Sequence, residues 1–382
     1  MAHRKTEARP VVEQVAHLLR QRVIHGQYPP GTFLPSERAL AGELGVSRMS
    51  VSRALEQLAR EGIVKQHIGA GTRVLPDAGT RLPPGTIAIL HRVFVGAPSP
   101  EPSLILQGMV DALAREHFAY EMVPVLSSDY EGPVEKAVTP GQILQMRNRY
   151  GGWLFVETCA AEQTVALHRL RAPVVVANLE SELEVSATWV DHERIARTAV
   201  EILAALGHRR IGLVATVPSR AFYEKTIQGY RDSLKRLGVP MDARWLSLCP
   251  NSSALDAYSA ATNLLRVEPR PTAIVAGRDL HAEGVCRAAS EAGLTIGRDL
   301  SVIGFDNVTW PLESPLLTTF HEPCYELGAE AARMLIDRMH KETAEVEKKE
   351  ISAPLVLRRS AGPPADVAPD SQPFSARLHM DA

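Results

Sequence analysis

The sequence predicts two folds in one chain: a small α+β head of winged helix-turn-helix type, and a larger α/β body of two lobes. Three observations predict it. Leu34 to Thr72 holds two short helical segments, a glycine turn between them and a glycine-tipped hairpin. Beyond residue 85, short apolar runs alternate with helical patterns, as parallel sheets covered by helices require. Between these regions, Pro76 to Gly85 carries Pro and Gly at a density that no helix or strand interior tolerates. The expected boundaries are a head at 1–75, a linker at 76–85, a body at 86–360 and a Pro-rich disordered tail at 361–382.

In the head, Ser36 is placed to cap the first helix, Gly45-Val46 makes the turn, and Ser47 is placed to cap the second helix. Val51, Ala54, Leu55 and Leu58 recur at helical spacing, so one face of the second helix is buried. Arg48, Met49, Ser50 and Arg53 lie at its start or off that stripe, as in a recognition helix that enters the major groove. Gly62 ends the helix, and Ile63 to Val74 alternates around Gly69-Ala70-Gly71 like a wing. The competing reading is a helical hairpin used for packing, with its arginines on a solvated face.

Charge follows the same division. Residues 1–75 hold 11 Lys and Arg against 6 Asp and Glu, while the remainder holds 31 basic and 38 acidic residues. A basic head on an acidic body is expected when the head alone meets phosphate.

In the body, strands are expected at Ile87–Leu90, Glu121–Val125, Trp153–Val156, Val174–Ala177, Ile211–Ala215, Ala273–Ala276, Val302–Phe305 and Leu355–Leu357. Helices are expected at Leu104–Glu116, Glu193–Leu206, Lys225–Leu237, Ala254–Leu265, Leu280–Ala292 and Tyr325–His340. Gly207, Gly238 and Gly293 suit the position just past a helix end.

Two resemblances follow. From about Val12 to Val74, the ordered motifs PSER, GVSR, LxxEG and GxGT resemble the winged helix of the GntR family of bacterial regulators. That likeness implies DNA contacts from Arg38, Ser47, Arg48, Ser50, His67, Gly69 and Gly71; Ser36, Met49, Ser52 and Arg53 complete the candidate set. Met49 and Ser52 stand where Thr and Arg are frequent, which points to an unusual base preference. From about Thr86 to Ser360, and most clearly after Asp191, the segments ILAALGHRRIGLVA, GYRDSLKRLGV, PTAIVAGRDLHAEGVCRAASEAGLTIGRDLSVIGFDN, SPLLTTFHEP and LGAEAARMLIDRM resemble the LacI-type sensing domain. This has the type I periplasmic-binding-protein-like fold. The pairing is similar to the arabinose repressor subgroup, and implies a ligand-controlled regulator, usually a repressor and a homodimer.

In open α/β sheets, small molecules bind beyond the C-terminal strand ends. That rule selects His91 to Phe94, Asn178, Arg278-Asp279 and Asp306-Asn307. The resemblance implies that Asp306 accepts from ligand hydroxyls; the alternative is a structural cap. Phe94, Trp153 and Trp310 are candidate ring faces for a sugar, or else core residues. Arg278 either pairs with an acidic ligand or pairs internally with Asp279 or Asp306 and orients them. Lys225 or Arg220 stands near the place where relatives carry an arginine, and Glu322 replaces an expected amide. The expected partners are duplex operator DNA and a sugar, sugar acid or nucleoside-like effector. No cofactor and no metal site is expected.

Other classes fit less well. Cys159, Cys249, Cys286 and Cys324 form no CxxC pair and read as reduced thiols. MAHRKTEARP has no apolar core of a secretory signal, and no run of 18 apolar residues exists, so a cytoplasmic protein is expected. HExxH, GxSxG and phosphate-loop patterns are absent. Asp191-His192-Glu193 looks chemical, but Asp191 suits a helix N-cap. An enzyme carrying a GntR head and a transport-type binding protein are the alternatives.

Overall fold

A computed structural model describes residues 11–24, 27–67, 71–75, 85–92, 100–125, 138–146, 149–156, 173–179, 184–217, 221–307, 317–341 and 345–365. The chain divides into two compact units. One is Met1–Thr86 with Arg149–Gly151, and the other is Ile87–Asn148 with Gly152–Ala382. Most of the expected linker, residues 76–84, lies outside the described residues.

The first unit contains α1 (Val11–Ile24), α2 (Glu37–Leu44), α3 (Arg48–Arg60), β1 (Val64–His67) and β2 (Gly71–Val74). Its local chemistry is that of the sequence. Ser36 Oγ accepts from the Ala39 N–H, Ser47 Oγ accepts from the Ser50 N–H, and Gly45 turns the chain at φ 65°. Val51, Ala54, Leu55 and Leu58 of α3 close on Val15, Leu19 and Val23 of α1 and on Leu40 of α2. The half-buried Arg20–Glu61 pair, at 2.6 Å, ties α1 to the end of α3. The wing gains an antiparallel bridge from Phe33 to Arg73 that the alternation did not suggest. Leu34 N–H donates to Thr72 O and Val74 N–H donates to Thr32 O, both at 2.8 Å.

The second unit holds two six-stranded sheets. The first-lobe sheet comprises β3 (Ile87–Arg92), β4 (Tyr120–Val125), β5 (Gly152–Val156), β6 (Val174–Ala177), β7 (Ser186–Trp189) and β13 (Lys348–Glu350), all parallel. The second-lobe sheet comprises β8 (Ile211–Thr216), β9 (Leu246–Cys249), β10 (Ala273–Ala276), β11 (Ser301–Asp306), β12 (Thr318–His321) and β14 (Leu355–Val356). It is parallel except at its edge, where β14 runs against β12. Helices α4 (Pro100–Arg115) and α5 (Pro140–Gln145) belong to the first lobe, while α6 (His192–Ala205), α7 (Ala221–Leu237), α8 (Ala254–Leu264) and α9 (Asp279–Glu291) cover the second.

The chain passes between the lobes three times: after Trp189, after His321 and after Glu350. The second passage returns α10 (Cys324–Lys341) to the first lobe, where it packs on α4. Gly108 and Gly328 permit that crossing, because a Cβ on either would overlap a carbonyl of the facing helix.

Two expectations are corrected. The tail does not begin at 361: the Gly362 N–H donates to Ser301 Oγ at 3.0 Å and its carbonyl accepts from His208 at 2.8 Å. These bonds hold residues 361–364 on the second lobe; residues 366–382 lie outside the described residues. Trp153 is no ring face for a ligand. It is fully buried in β5, a strand whose five residues are all buried.

Candidate DNA face and effector cleft

Because α3 buries one stripe, its other side is left to solvent. Arg38, Ser47, Arg48, Met49 and Arg53 are exposed, and Ser50 and Ser52 are half-buried. Met49 is 65% exposed, so the helix start presents an apolar group to solvent. Arg48 Nε donates to Glu37 Oε2 at 3.0 Å, which fixes its direction across the two helices. The Ser47 and Ser50 hydroxyls bond each other at 2.9 Å. Ser36 is engaged as a cap, with its side chain directed to backbone. His67 and Gly71 are exposed on the wing, while Gly69 lies outside the described residues.

The cleft candidates converge as the strand-end rule requires. Asn178 follows β6; Arg278 and Asp279 follow β10; Asp306 and Asn307 end β11. Asn178, Asp306 and Asn307 have φ of 57°, 134° and 54°, so the backbone at these strand ends is held in uncommon conformations. Phe94, Trp310 and Arg220 lie outside the described residues.

Arg278 is the centre of the group. Its Nε donates to Asp306 Oδ2 at 2.8 Å and lies 2.8 Å from Oδ1, and its Nη2 donates to Glu101 Oε1 at 2.5 Å. Glu101 belongs to α4 of the first lobe, so this arginine ties one lobe to the other. Asn178 Nδ2 donates to Glu322 Oε1 at 3.2 Å and makes a second tie, from the first lobe to the passage after β12. Burial opposes the Arg278 charge, but Asp306, Glu101 and Glu322 outweigh it and hold the guanidinium well above its ordinary range. Burial raises the Asp306 carboxyl, and Arg278 pulls against that rise.

Asp279 turns inward. Its Oδ1 accepts from the Thr319 hydroxyl at 2.7 Å and its Oδ2 from the Asn307 N–H at 2.9 Å. Burial raises its carboxyl above the ordinary range, opposed by those two bonds. With both oxygens engaged and 1% of its surface exposed, it shapes the loop after β11. Lys225 reaches Glu193 Oε2 at 3.4 Å, so its charge is engaged on α6. Asp191 caps α6 by accepting from the Arg194 N–H at 2.7 Å.

Two residues escaped the sequence reading. Glu101 sits among prolines at a helix start and gives no local sign that its partner is Arg278. His281, fully buried on α9, shares its Nε2 with the Thr216 hydroxyl at 3.1 Å. Burial, and then the Arg278 charge, push its imidazole down to about 3. Among the described residues no group of three metal-ligating side chains occurs, and no helix is long and apolar enough to cross a membrane.

Comparison with known proteins adds the families. Residues 11–74 match the model described as bacterial regulatory proteins, gntR family, and residues 183–361 match the periplasmic binding protein-like domain. Catabolite control protein A of Priestia megaterium is 31% identical over 214 residues, covering 55% of this chain and 64% of that protein. The transcriptional repressor CytR of Escherichia coli K12 is 33% identical over 191 residues, covering 49% and 55%. The chain thus spans about half to two thirds of the length of these curated relatives. A ribose-bound LacI family regulator from Enterococcus faecium superposes with a TM-score of 0.59 at 25% identity, over 73% of this chain and 99% of that one. The regulator CelR in complex with cellobiose gives 0.61 at 24% identity, over 92% and 100%, a likeness of fold. The chain therefore joins a GntR-type DNA-binding domain to a two-sheet periplasmic-binding-protein-like body that matches LacI-family structures.

Proposed function

We propose that this protein is a sequence-specific DNA-binding transcription regulator of repressor type, with operator affinity set by a small metabolite bound between its lobes. The carrying observation is the Arg278 bridge: one buried arginine joins the lobes at the strand ends, where a ligand would enter. The recognition helix α3, with Arg48, Met49 and Arg53 outward, supplies the output. Repressors such as CytR among the relatives, and neighbours described with ribose and cellobiose, support the same reading.

Phosphate contacts from head cations give salt-sensitive affinity, and the start of α3 reads base edges in the major groove. A homodimer would place two heads on a pseudo-palindromic site. In the cleft, Asp306 Oδ1 accepts no hydrogen bond of good angle among the described residues, which leaves it for a ligand hydroxyl. The charge balance favours a neutral polyhydroxylated effector over a sugar acid. Arg278 already faces Asp306 and Glu101, with Glu322 close by, so an added carboxylate would meet like charge. The effector acts by preferring one lobe arrangement, with coupling of about 1–3 kcal/mol. Turnover has no support among the transcription regulators the chain resembles, and regulation of this kind operates in the cytoplasm.

The test is binding to duplexes selected from a random pool, with and without neutral pentoses, hexoses, disaccharides and nucleosides. A bound compound that changes duplex affinity is the expected outcome. Bound compounds that all leave it unchanged would defeat the coupling.

A further inference from the structure

The run PLVLRRS, residues 354–360, returns to the second lobe and brings an arginine against the strand ends of the effector cleft. Ser360 pins the run: its carbonyl accepts from the Val302 N–H and its hydroxyl from the Thr318 N–H, both at 2.7 Å. The Arg358 N–H donates to the Thr318 hydroxyl at 3.0 Å. With its backbone held, the half-buried Arg358 side chain reaches two oxygens. Nη1 donates to Leu317 O and Nη2 to Asn307 Oδ1, both at 2.7 Å. One guanidinium thus joins the residue after β11 to the residue before β12.

The strand end that it reaches has an uncommon backbone. Asp306 has φ of 134° and Asn307 of 54°, conformations that persist only where neighbours fix them. Two bonds hold the peptide between these residues. Asp306 O accepts from the Glu322 N–H, and the Asn307 N–H donates to Asp279 Oδ2, both at 2.9 Å. The Arg358 bond is the third, and it fixes the Asn307 side chain. A guanidinium can only donate, so the amide turns its oxygen to Arg358 and leaves Nδ2 at 3.4 Å from His321 Nδ1. Asparagine supplies two things here: tolerance of a positive φ and an acceptor for Arg358. Glycine would supply the first alone, and aspartate both.

We propose that Arg358 is a positioning residue of the effector cleft: through the Asn307 amide oxygen it holds the strand end in the conformation that turns the Asp306 carboxylate toward a ligand hydroxyl. This role rests on the effector reading above and adds a residue that acts through Asn307 rather than by touching the ligand. Loss of the guanidinium frees the Asn307 side chain, and Asp306 then meets the ligand from a relaxed turn.

The experiment titrates the full chain with ribose, glucose, cellobiose and adenosine by calorimetry, and carries the tightest of these into the variants. Arg358→Gln and Asn307→Gly are each expected to weaken that compound about tenfold, and the double variant to be no weaker than either, because the two residues act as one unit. Asn307→Asp, which keeps an acceptor for the guanidinium, should bind within about twofold of wild type. Should Arg358→Gln fail to fold, the two Asn307 variants decide the matter. Wild-type affinity in Asn307→Gly would mean that position 307 serves only its φ, and would overturn the role. So would additive losses in the double variant, or an Asn307→Asp protein as weak as Asn307→Gly. Each of these leaves the cleft itself intact as a binding site. A wild-type protein that binds none of the four compounds would instead end the reading of the cleft as a site for neutral polyhydroxylated molecules, and the Arg358 role with it.

Discussion

Arg48 in the head is 75% exposed with a single rim partner, Glu37, whereas Arg278 in the cleft is 14% exposed between Asp306 and Glu101. The same side chain is handled in opposite ways. In the head its charge stays in water, where, under the proposed function, it would exchange solvent for DNA at little cost to the fold. In the cleft the charge is largely removed from water and balanced by Asp306 and Glu101, so any ligand must enter an arrangement whose charges are already paired. The first kind of arginine is open to a partner; the second joins two lobes.

The largest expected effect breaks the buried arrangement. Arg278→Met leaves Asp306 and Glu101 buried without their cation, and should cost about 3–5 kcal/mol of body stability by urea unfolding. A loss below 1 kcal/mol would mean that the cluster is well solvated.

Next comes acid sensitivity. The His281 imidazole is held down to about 3 in the fold, against about 6.5 unfolded, so it stabilises the neutral form. Its contribution is complete above pH 6.5 and is lost as pH falls toward 3. By pH 5 the loss should be about 2 kcal/mol. His281→Gln should flatten this limb of the stability curve, and an unaltered curve would place the acid sensitivity elsewhere.

On the head side, Arg48→Ala should weaken binding to a selected duplex about tenfold, within the range for a lost base contact. Its unfolding midpoint should be unchanged, since an exposed pair of this kind contributes little. A matching loss of stability would erase the contrast with Arg278. The smallest effect belongs to Ser36→Ala, which should lower head stability by about 1 kcal/mol through loss of the Ala39 cap bond. Circular dichroism melting of the full chain would show it as a shift of the first transition.

What was legible in sequence follows the same division. The turn, both caps and the buried stripe of α3 are spelled by residues within about 25 positions, so local chemistry suffices. The strand-end rule placed Arg278, Asp306 and Asn178 together because parallel topology fixes where loops gather. Strand β12, with sequence TTFH, was missed. Its buried threonines look polar until Thr319 is seen bonded to Asp279 and Thr318 to the Ser360 and Arg358 region. Strand β13, KKE, carries no apolar signal and pairs with β7 from a distant part of the chain. Glu101 meets Arg278 across 177 positions, a separation that no spacing rule crosses. The bridge from Phe33 to the wing was hidden for a different reason: Thr32 to Leu34 pair too briefly to alternate.

The return of Cys324–Lys341 to the first lobe has a consequence for synthesis. A ribosome finishes the head within its first 75 residues, yet the first lobe waits for a helix and the strand Lys348–Glu350 from the far end of the message. Until those emerge, α4 lies without the neighbour that its glycine was shaped to meet, and apolar surface stands open. Under the proposed function, a nascent chain completes its DNA-binding head well before its sensing body, and apolar surface of the first lobe stays uncovered in the interval.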